Sequence, residues 1–450
     1  MNRNLTYKLL ALAAMAILLI VALARIEWKV QERQATRDAA VASIASQYAK
    51  GQQLSGPLLW LQCSETRAVT RLDPGKPPRI EHETLDCSRM LRPELLSGRG
   101  DLAVSERYRG IYKARIYLAS LRMDATFKPL DLKLEPGQTL KAAAWVFGVS
   151  DPRGLKRIDI RDQDDEPLEA RPGTSGSPLA KGFHIPVPLK SLEQAQSLVA
   201  DIELAGSGRF EWVPLAENND FQLHSAWPHP SFSGLYLPEA RQISAQGFDA
   251  SWRVNAFATD GDHVLEKTTQ RFDGENNADW FSNSLGVTLV DPVDAYVQSD
   301  RAIRYGFLFV LLTLGGFFLF ELLKRKTLHP LQYLLIGFAT VVFFLLLLAV
   351  SEHAGFFVAY LIAATACTLM IATYGRTLLG SWKASAMLGL GYGGLFGGLY
   401  QLLASEDHAL LLGAWLTFVV LAATMYLTRK LDWGDLGRAV QAPRVTAQPE

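Results

Sequence analysis

Arg301-Ala302-Ile303-Arg304 opens an apolar run, Tyr305–Phe320, that closes on Glu321-Leu322-Leu323-Lys324-Arg325-Lys326. A short turn, Thr327-Leu328-His329-Pro330, leads into a second run, Leu331–Val350. A helix needs roughly 20 residues to cross a ~30 Å hydrocarbon core, and each run comes close to that. Two such runs joined by a basic turn predict a transmembrane hairpin. The rest of the chain takes its side of the membrane from it.

Outward from the hairpin (Ile303–Leu323 and Leu331–Val350), four further spans fit the pattern: Tyr7–Ile26, Phe356–Tyr374, Ala384–Leu403 and Ala409–Leu427. Backbone polar groups in lipid must be satisfied within the segment, so helices are expected. Buried helices of a soluble protein are the alternative; several spans hold no charge, which argues against it. The first span also has a second reading. Its core, Leu9–Ala24, follows Arg3 and Lys8 and ends Ala22-Leu23-Ala24, like a cleavable leader. Lys8 and Arg25 can snorkel, and helical pattern continues through Ile26, Trp28 and Val30, so an uncleaved anchor is expected.

The formal charge of zero hides two halves. Residues 26–300 carry 31 Lys and Arg against 38 Asp and Glu, a net of −7, and the remainder carries 14 against 7. The basic residues cluster in alternate turns: Lys324, Arg325 and Lys326, then Arg376 and Lys383, then Arg429 and Lys430. The other turns hold Glu352, Glu406 and Asp407 without Lys or Arg. By the positive-inside rule both termini are cytoplasmic and residues 27–300 lie outside. The acidic exported region, with no basic stripe interleaved with aromatics, excludes a nucleic-acid partner.

After the anchor, Glu27–Lys50 reads as a helical stalk ended by Gly51 and Gly56-Pro57. From Pro57 the texture changes to short apolar runs broken by Gly, Pro, Asp and Asn. Leu58–Cys63, Ala142–Val149, Leu198–Leu204 and Phe248–Val254 are examples, the last with period-two alternation. This predicts antiparallel β structure, a sandwich or barrel-like sheet. Asp162–Pro178 and Asp260–Trp280 read as polar surface loops. The fold class is thus an α + β membrane protein: one N-terminal and five C-terminal transmembrane helices with a large β-rich exported domain. The expected boundaries are 1–26 anchor, 27–56 stalk, 57–300 β-rich domain, 301–433 five-helix domain and 434–450 tail.

Two of three cysteines, Cys63 and Cys87, fall in the exported region, where a disulfide is permitted. A pair of separate thiols is the alternative. Cys367 reads as an apolar packing residue. In the fifth span Gly389, Gly393 and Gly397 recur every fourth residue, a spacing for close helix packing within the bundle, with self-association as the other use.

Chemistry is sparsely signalled. There is no phosphate loop, His-Glu-x-x-His, Cys-x-x-Cys or nucleophile elbow, so neither an enzyme nor a cofactor is expected. His353 and His408 sit beside Glu352 and Glu406-Asp407, and these turns are expected to be solvated rather than metal-binding. Glu321 is the clearest ionisable residue in a span; an interfacial ion pair with Lys324 or Arg325 is expected. On the exported side, Trp227-Pro228-His229-Pro230-Ser231-Phe232 is the most singular stretch. Its prolines fix an extended segment. Trp227, His229 and Phe232 then form a recognition ridge, or Trp227 and Phe232 are buried in a rigid crossover.

Several of these strings resemble the CreD-like inner-membrane proteins of Gram-negative bacteria, described as cell envelope integrity proteins. The matching residues are Trp227–Phe232 with Gly234 and Leu237-Pro238, Arg301–Tyr305, Phe320-Glu321, Leu328–Leu335 and Ser351-Glu352-His353. Leu410–Gly413, Leu427–Trp433, Ser55-Gly56-Pro57 and the anchor also fit. The resemblance covers nearly the whole chain, with Gln62–Asp220 matching in patches. It implies an inner-membrane protein under envelope-stress control, linked to two-component signalling and to tolerance of envelope-targeting agents. It carries over no catalytic residue. The expected partners are membrane lipids and another envelope component; the alternative is a lipid or small-molecule exporter built on the Gly-rich bundle. Glu321 through Gln332, with His329 at its centre, is more elaborate than topology requires, which points to a docking or packing site. The Ala/Pro-rich tail after Trp433 is expected to be disordered.

Overall fold

The computed structural model describes residues 3–71, 79–130, 136–259, 283–291, 295–324, 328–404 and 409–429. Asp260–Trp280, Arg325–Thr327, Glu406–His408 and the 434–450 tail lie outside the described residues. The chain forms two compact units, residues 38–292 and residues 1–37 with 293–450.

Helix α1, Arg3–Gln47, contributes to both units. Residues 38–292 then fold as strands. In chain order these are β1 (Gln52–Arg71), β2 (Arg79–Leu91), β3 (Leu95–Arg109), β4 (Tyr112–Phe127), β5 (Gln138–Val149), β6 (Leu155–Asp162), β7 (Pro167–Leu168) and β8 (Arg171–Pro172). They continue as β9 (Gly182–Val187), β10 (Gln196–Ser207), β11 (Arg209–Val213), β12 (Asn218–Ser225), β13 (Pro230–Gly234), β14 (Ala240–Ser244), β15 (Gly247–Asn255), the short helix α2 (Ala256–Thr259) and β16 (Leu285–Leu289). The stalk is shorter than expected. The helix ends at Gln47 and the strand begins at Gln52, so Gly56-Pro57 lies inside β1 rather than closing the helix.

Two eight-stranded sheets result. One runs β13-β16-β11-β1-β5-β9-β8 with β2 beside β1, and the other β14-β15-β12-β3-β4-β10-β6-β7. Most neighbours are antiparallel, but β1–β11 and β3–β12 are parallel. One core cluster draws on both sheets, which makes a sandwich. Across it Trp212 of the first sheet stacks on Phe221 of the second at 4.9 Å, and Phe127 meets Trp145 at 6.3 Å. Each such buried apolar side chain contributes about 1.5–3 kcal/mol, and aromatic pairing adds roughly 1 kcal/mol.

Strand β3 lies close to this core because Gly98 and Gly100 face it. A Cβ on Gly98 would stand 2.6 Å from Phe221 Cδ1, and one on Gly100 within 3.0 Å of Leu223, Leu121 and Trp212. Cys63 and Cys87 are opposite each other in the β1–β2 register and are joined as a disulfide, Cα–Cα 4.8 Å. Beyond them β1 loses β5 as a neighbour after Glu65, and the pair continues as a two-stranded ribbon to Arg71 and Arg79.

The other unit is helical: α3 (Ala295–Arg304), α4 (Gly306–Lys324), α5 (Pro330–Ala354), α6 (Phe356–Leu379), α7 (Trp382–Ala404) and α8 (Ala409–Thr428). Among the described residues three helices are long and apolar enough to cross a membrane: Thr6–Gln47, Pro330–Ala354 and Phe356–Thr377. Ala295–Arg304 with Gly306–Glu321 makes a fourth if the pair, bent by 44°, is one span. Six spans were expected, and the described parts of α7 and α8 do not add to that number. The span expected to begin at Ile303 is instead broken at Tyr305. Gly306 follows the break, and there a Cβ would stand 3.1 Å from Leu23 of α1 and 3.2 Å from Phe344 of α5.

Candidate functional site

Glu321 lies one turn before Lys324 and Arg325, whose side chains fall outside the described residues. It pairs with Lys8 of α1, and its second oxygen accepts a hydrogen bond from the Tyr333 hydroxyl of α5 at 2.7 Å. The Lys8 ammonium also lies 5.9 Å from the Tyr333 ring centre. The Glu321 side chain is 11% exposed, so an unpaired charge here would be costly.

A second cluster of the same chemistry sits at the other end of α5. Glu352 meets Arg33 of α1 at 3.6 Å and accepts from the Tyr296 hydroxyl of α3 at 3.1 Å. Arg37 stands over the Tyr296 ring at 6.0 Å. Each cluster therefore holds one glutamate, one tyrosine and at least one cation from α1. Tyr333 and Glu352 are about 28 Å apart along α5 at roughly 1.5 Å per residue. That length is close to the ~30 Å thickness of a hydrocarbon layer. Between the clusters Leu19 of α1, fully buried, fills the space over Gly337, where a Cβ would lie only 2.2 Å from its Cδ1. Small residues that admit a neighbouring side chain are the usual device for packing helices in lipid.

His329 is the N-cap of α5. Its Nδ1 accepts from Leu331 N at 3.3 Å, while the Gln332 side chain accepts from His329 N at 2.9 Å. Pro330 at the first helical position loses no bond, because that N–H has no partner within a helix. This reciprocal cap gives His329 and Gln332 a structural role at the start of α5.

In the fifth expected span, Gly389 approaches Ala372 of α6, 3.2 Å from a built Cβ. Gly393 and Gly397 meet nothing within 4 Å, so the three glycines do not form one packed stripe among the described residues. Cys367 is buried with its thiol 3.4 Å from Ala339 O.

On the β-rich unit the Trp227–Phe232 stretch divides. Trp227 lies under the Arg115 guanidinium, 4.4 Å from ring centre to Cζ, and its indole N–H donates to His229 O at 3.1 Å. Arg115 also meets Asp291 at 2.8 Å. Burial pushes the Asp291 carboxyl up, but the hydrogen bond and charge of Arg115 outweigh it and hold it below the usual range. Phe232 of β13 packs edge-on against Phe248 and Trp252 of β15, at 5.8 and 5.9 Å. Trp227 and Phe232 are half-buried against the sandwich core, and the Trp227 and His229 rings meet at 6.0 Å. His229 is exposed.

One further cluster was not foreseen. Asp151, after β5, accepts from Arg153 Nη2 at 2.6 Å and from Lys50 N at 3.2 Å. Arg153 donates to Ser46 O at 2.5 Å, satisfying a carbonyl at the end of α1. The Arg153 guanidinium holds the Asp151 carboxyl far below the usual carboxylate range. The local string Asp151-Pro152-Arg153 was its only visible signal. Among the described residues no group of three or more His, Cys, Asp or Glu could hold a metal.

Several apolar helices with charges paired at their ends, in a chain that also folds a large β-rich unit, define a multi-helix membrane protein. The chain belongs to the inner membrane protein CreD family, whose description matches residues 4–434. It is 33% identical to "Inner membrane protein CreD" of Escherichia coli (strain K12) over 452 residues, covering 99% of this chain and 96% of that protein.

Proposed function

We propose that this chain is a non-enzymatic inner-membrane protein that supports cell envelope integrity and stress tolerance. It acts through contacts between its β-rich unit and another envelope component. It crosses the membrane six times, with both termini in the cytoplasm and residues 27–300 in the periplasm. The alternating Lys and Arg content of its turns supports that topology.

The observation that carries the reading is the closed pairing of Glu321 and Glu352. An ion-coupled transporter needs intramembrane carboxylates that exchange protons or ions with an aqueous path. Here each carboxylate is held by a cation of α1 and a tyrosine hydroxyl, which suits a fixed support.

Cross-linking followed by mass spectrometry in intact envelopes tests it. Reproducible enrichment of one envelope component on residues 57–300 is expected. Recovery of only abundant bystanders, together with unchanged tolerance of envelope-targeting agents when the chain is removed, would sink it. Labelling of a tag at residues 351–355 from the cytoplasmic side would overturn the topology.

A further inference from the structure

The outer face of the second sheet sets two like charges side by side. Arg99 of β3 and Arg122 of β4 are direct cross-strand partners. Both side chains are exposed on the face away from the core, since their neighbours Gly98, Gly100, Leu121 and Met123 face it. Like charges directly opposite destabilise a sheet. Arg122 has distant counter-ions, Asp124 and Asp201, each at 3.8 Å. Arg99 has no ion pair or hydrogen bond among the described residues.

Arg99 also marks the place where two recesses meet. One, about 490 Å³, is bounded by the cations Arg99, Arg122 and Arg157 and by Asp101, Asp201 and Glu203, whose carboxylates can accept from hydroxyls. The other, about 640 Å³, is bounded by Arg99, Gln222, His224, Gln242 and Ser251. Their common floor is Gly100. The cause lies in the core. Gly98 and Gly100 let β3 sink toward Trp212 and Phe221, and the outer surface is depressed above them. From β6 to β14 the trench crosses seven strands, about 29 Å at ~4.8 Å per strand.

The lining decides the ligand class. The trench crosses the middle of a sheet, where backbone N–H and C=O groups are committed to the ladder, so a peptide cannot add as a strand. The side chains that rise from it are charged or neutral hydrogen-bonding groups, with no aromatic platform for an apolar ligand. A recognisable ligand must offer many hydroxyls and an anionic group for the Arg99–Arg122 pair. We propose that this trench binds an anionic oligosaccharide, with its carboxylate or phosphate held between Arg99 and Arg122. The site gives the envelope-support reading a ligand class, and rests on that reading only for where such a glycan would be met.

The test uses purified full-length protein in a zwitterionic, sugar-free detergent. It is titrated with oligogalacturonate, with a neutral maltooligosaccharide of equal length and with poly-L-glutamate. Oligogalacturonate is expected to bind most tightly. Arg99→Gln should weaken it at least tenfold while leaving the thermal midpoint unchanged or higher, because no contact is lost and the cross-strand repulsion is relieved. Three results would each overturn the site: no binding of oligogalacturonate, equal binding by Arg99→Gln, or tighter binding of poly-L-glutamate. A clear drop in the Arg99→Gln midpoint would also do so, by showing that Arg99 is structural. None of these outcomes bears on the cross-linking or tag-accessibility results.

Discussion

Lys8 and Glu321 stand 313 residues apart in the chain and meet as an ion pair, with the Tyr333 hydroxyl on the other carboxylate oxygen. Removing one partner of such a largely buried pair leaves a charge without compensation. Lys8→Met or Glu321→Met alone should destabilise the purified protein by about 2–4 kcal/mol. The Lys8→Met/Glu321→Met double variant should recover much of that loss. Thermal unfolding of the four proteins in detergent measures the cycle, and additive losses would show that the pair is not coupled.

Asp151 makes the β-rich unit sensitive to acid. Its carboxyl is depressed in the folded state by Arg153, so the unfolded chain takes up a proton first as pH falls. The stabilisation is fully present above the unfolded value, about 3.9, and is lost progressively below it. Denaturant midpoints measured from neutral pH downward should therefore fall more steeply below about pH 4 for the natural protein than for Asp151→Asn. Parallel curves would remove the Asp151–Arg153 pair as a cause.

The cap at His329 has a simple signature. His329→Ala removes the acceptor for Leu331 N and should cost about 0.5–2 kcal/mol, whereas His329→Asn keeps an acceptor and should cost less. Hydrogen exchange at the first turn of α5 reads the difference directly. Equal exchange in both variants would remove the His329 side-chain acceptor as a cause of the cap's stability.

Gly98→Ala places a methyl 2.6 Å from a Phe221 ring locked against Trp212. Overpacking of this kind costs about 1–3 kcal/mol, and the equilibrium denaturation midpoint should drop accordingly. An unchanged midpoint would mean that β3 can rise from the core, which would also weaken the explanation of the trench above it.

The disulfide closes a loop between residues separated by 24 positions. Replacing both Cys63 and Cys87 by Ser should lower stability by about 3 kcal/mol on loop entropy alone. Proteolysis should then attack the distal β1–β2 ribbon first, because a two-stranded ribbon has little independent stability. Cleavage elsewhere before the ribbon would contradict that order.

Legibility in the sequence followed burial. Strands with an inward face, such as β5, β10 and β15, showed themselves as apolar runs or alternations. The distal β2 sequence Ile80-Glu81-His82-Glu83-Thr84 is largely exposed on both faces and gave no such signal. In β3, Gly98 and Gly100 replace the apolar side chains that alternation would need, so the strand showed no clear period-two pattern. The parallel β1–β11 and β3–β12 pairs depend on long connections that local pattern does not report. Glu321 was visible as an anomalous charge, but its partner was not, because nothing near it in the chain names Lys8. Arg33, Tyr296 and Glu352 escaped for the same reason. Trp227 and Phe232 were noticed for their composition, and only the positions of Arg115, Phe248 and Trp252 showed what they pack against.

The two pairings of α1 have a consequence in time. Lys8 and Arg33 leave the ribosome first, and their carboxylates follow only after the β-rich unit has been made. At ~5–20 residues per second, a wait of roughly 15–60 s separates Lys8 from Glu321. During that interval the first helix is without its permanent neighbours, and its cations are without the carboxylates that later meet them. Arrival of α4 and α5 then exchanges lipid for protein at both ends. A hairpin inserted upside down would offer Glu321 and Glu352 at the wrong depths, so closure of both pairs also serves as a check on correct membrane assembly.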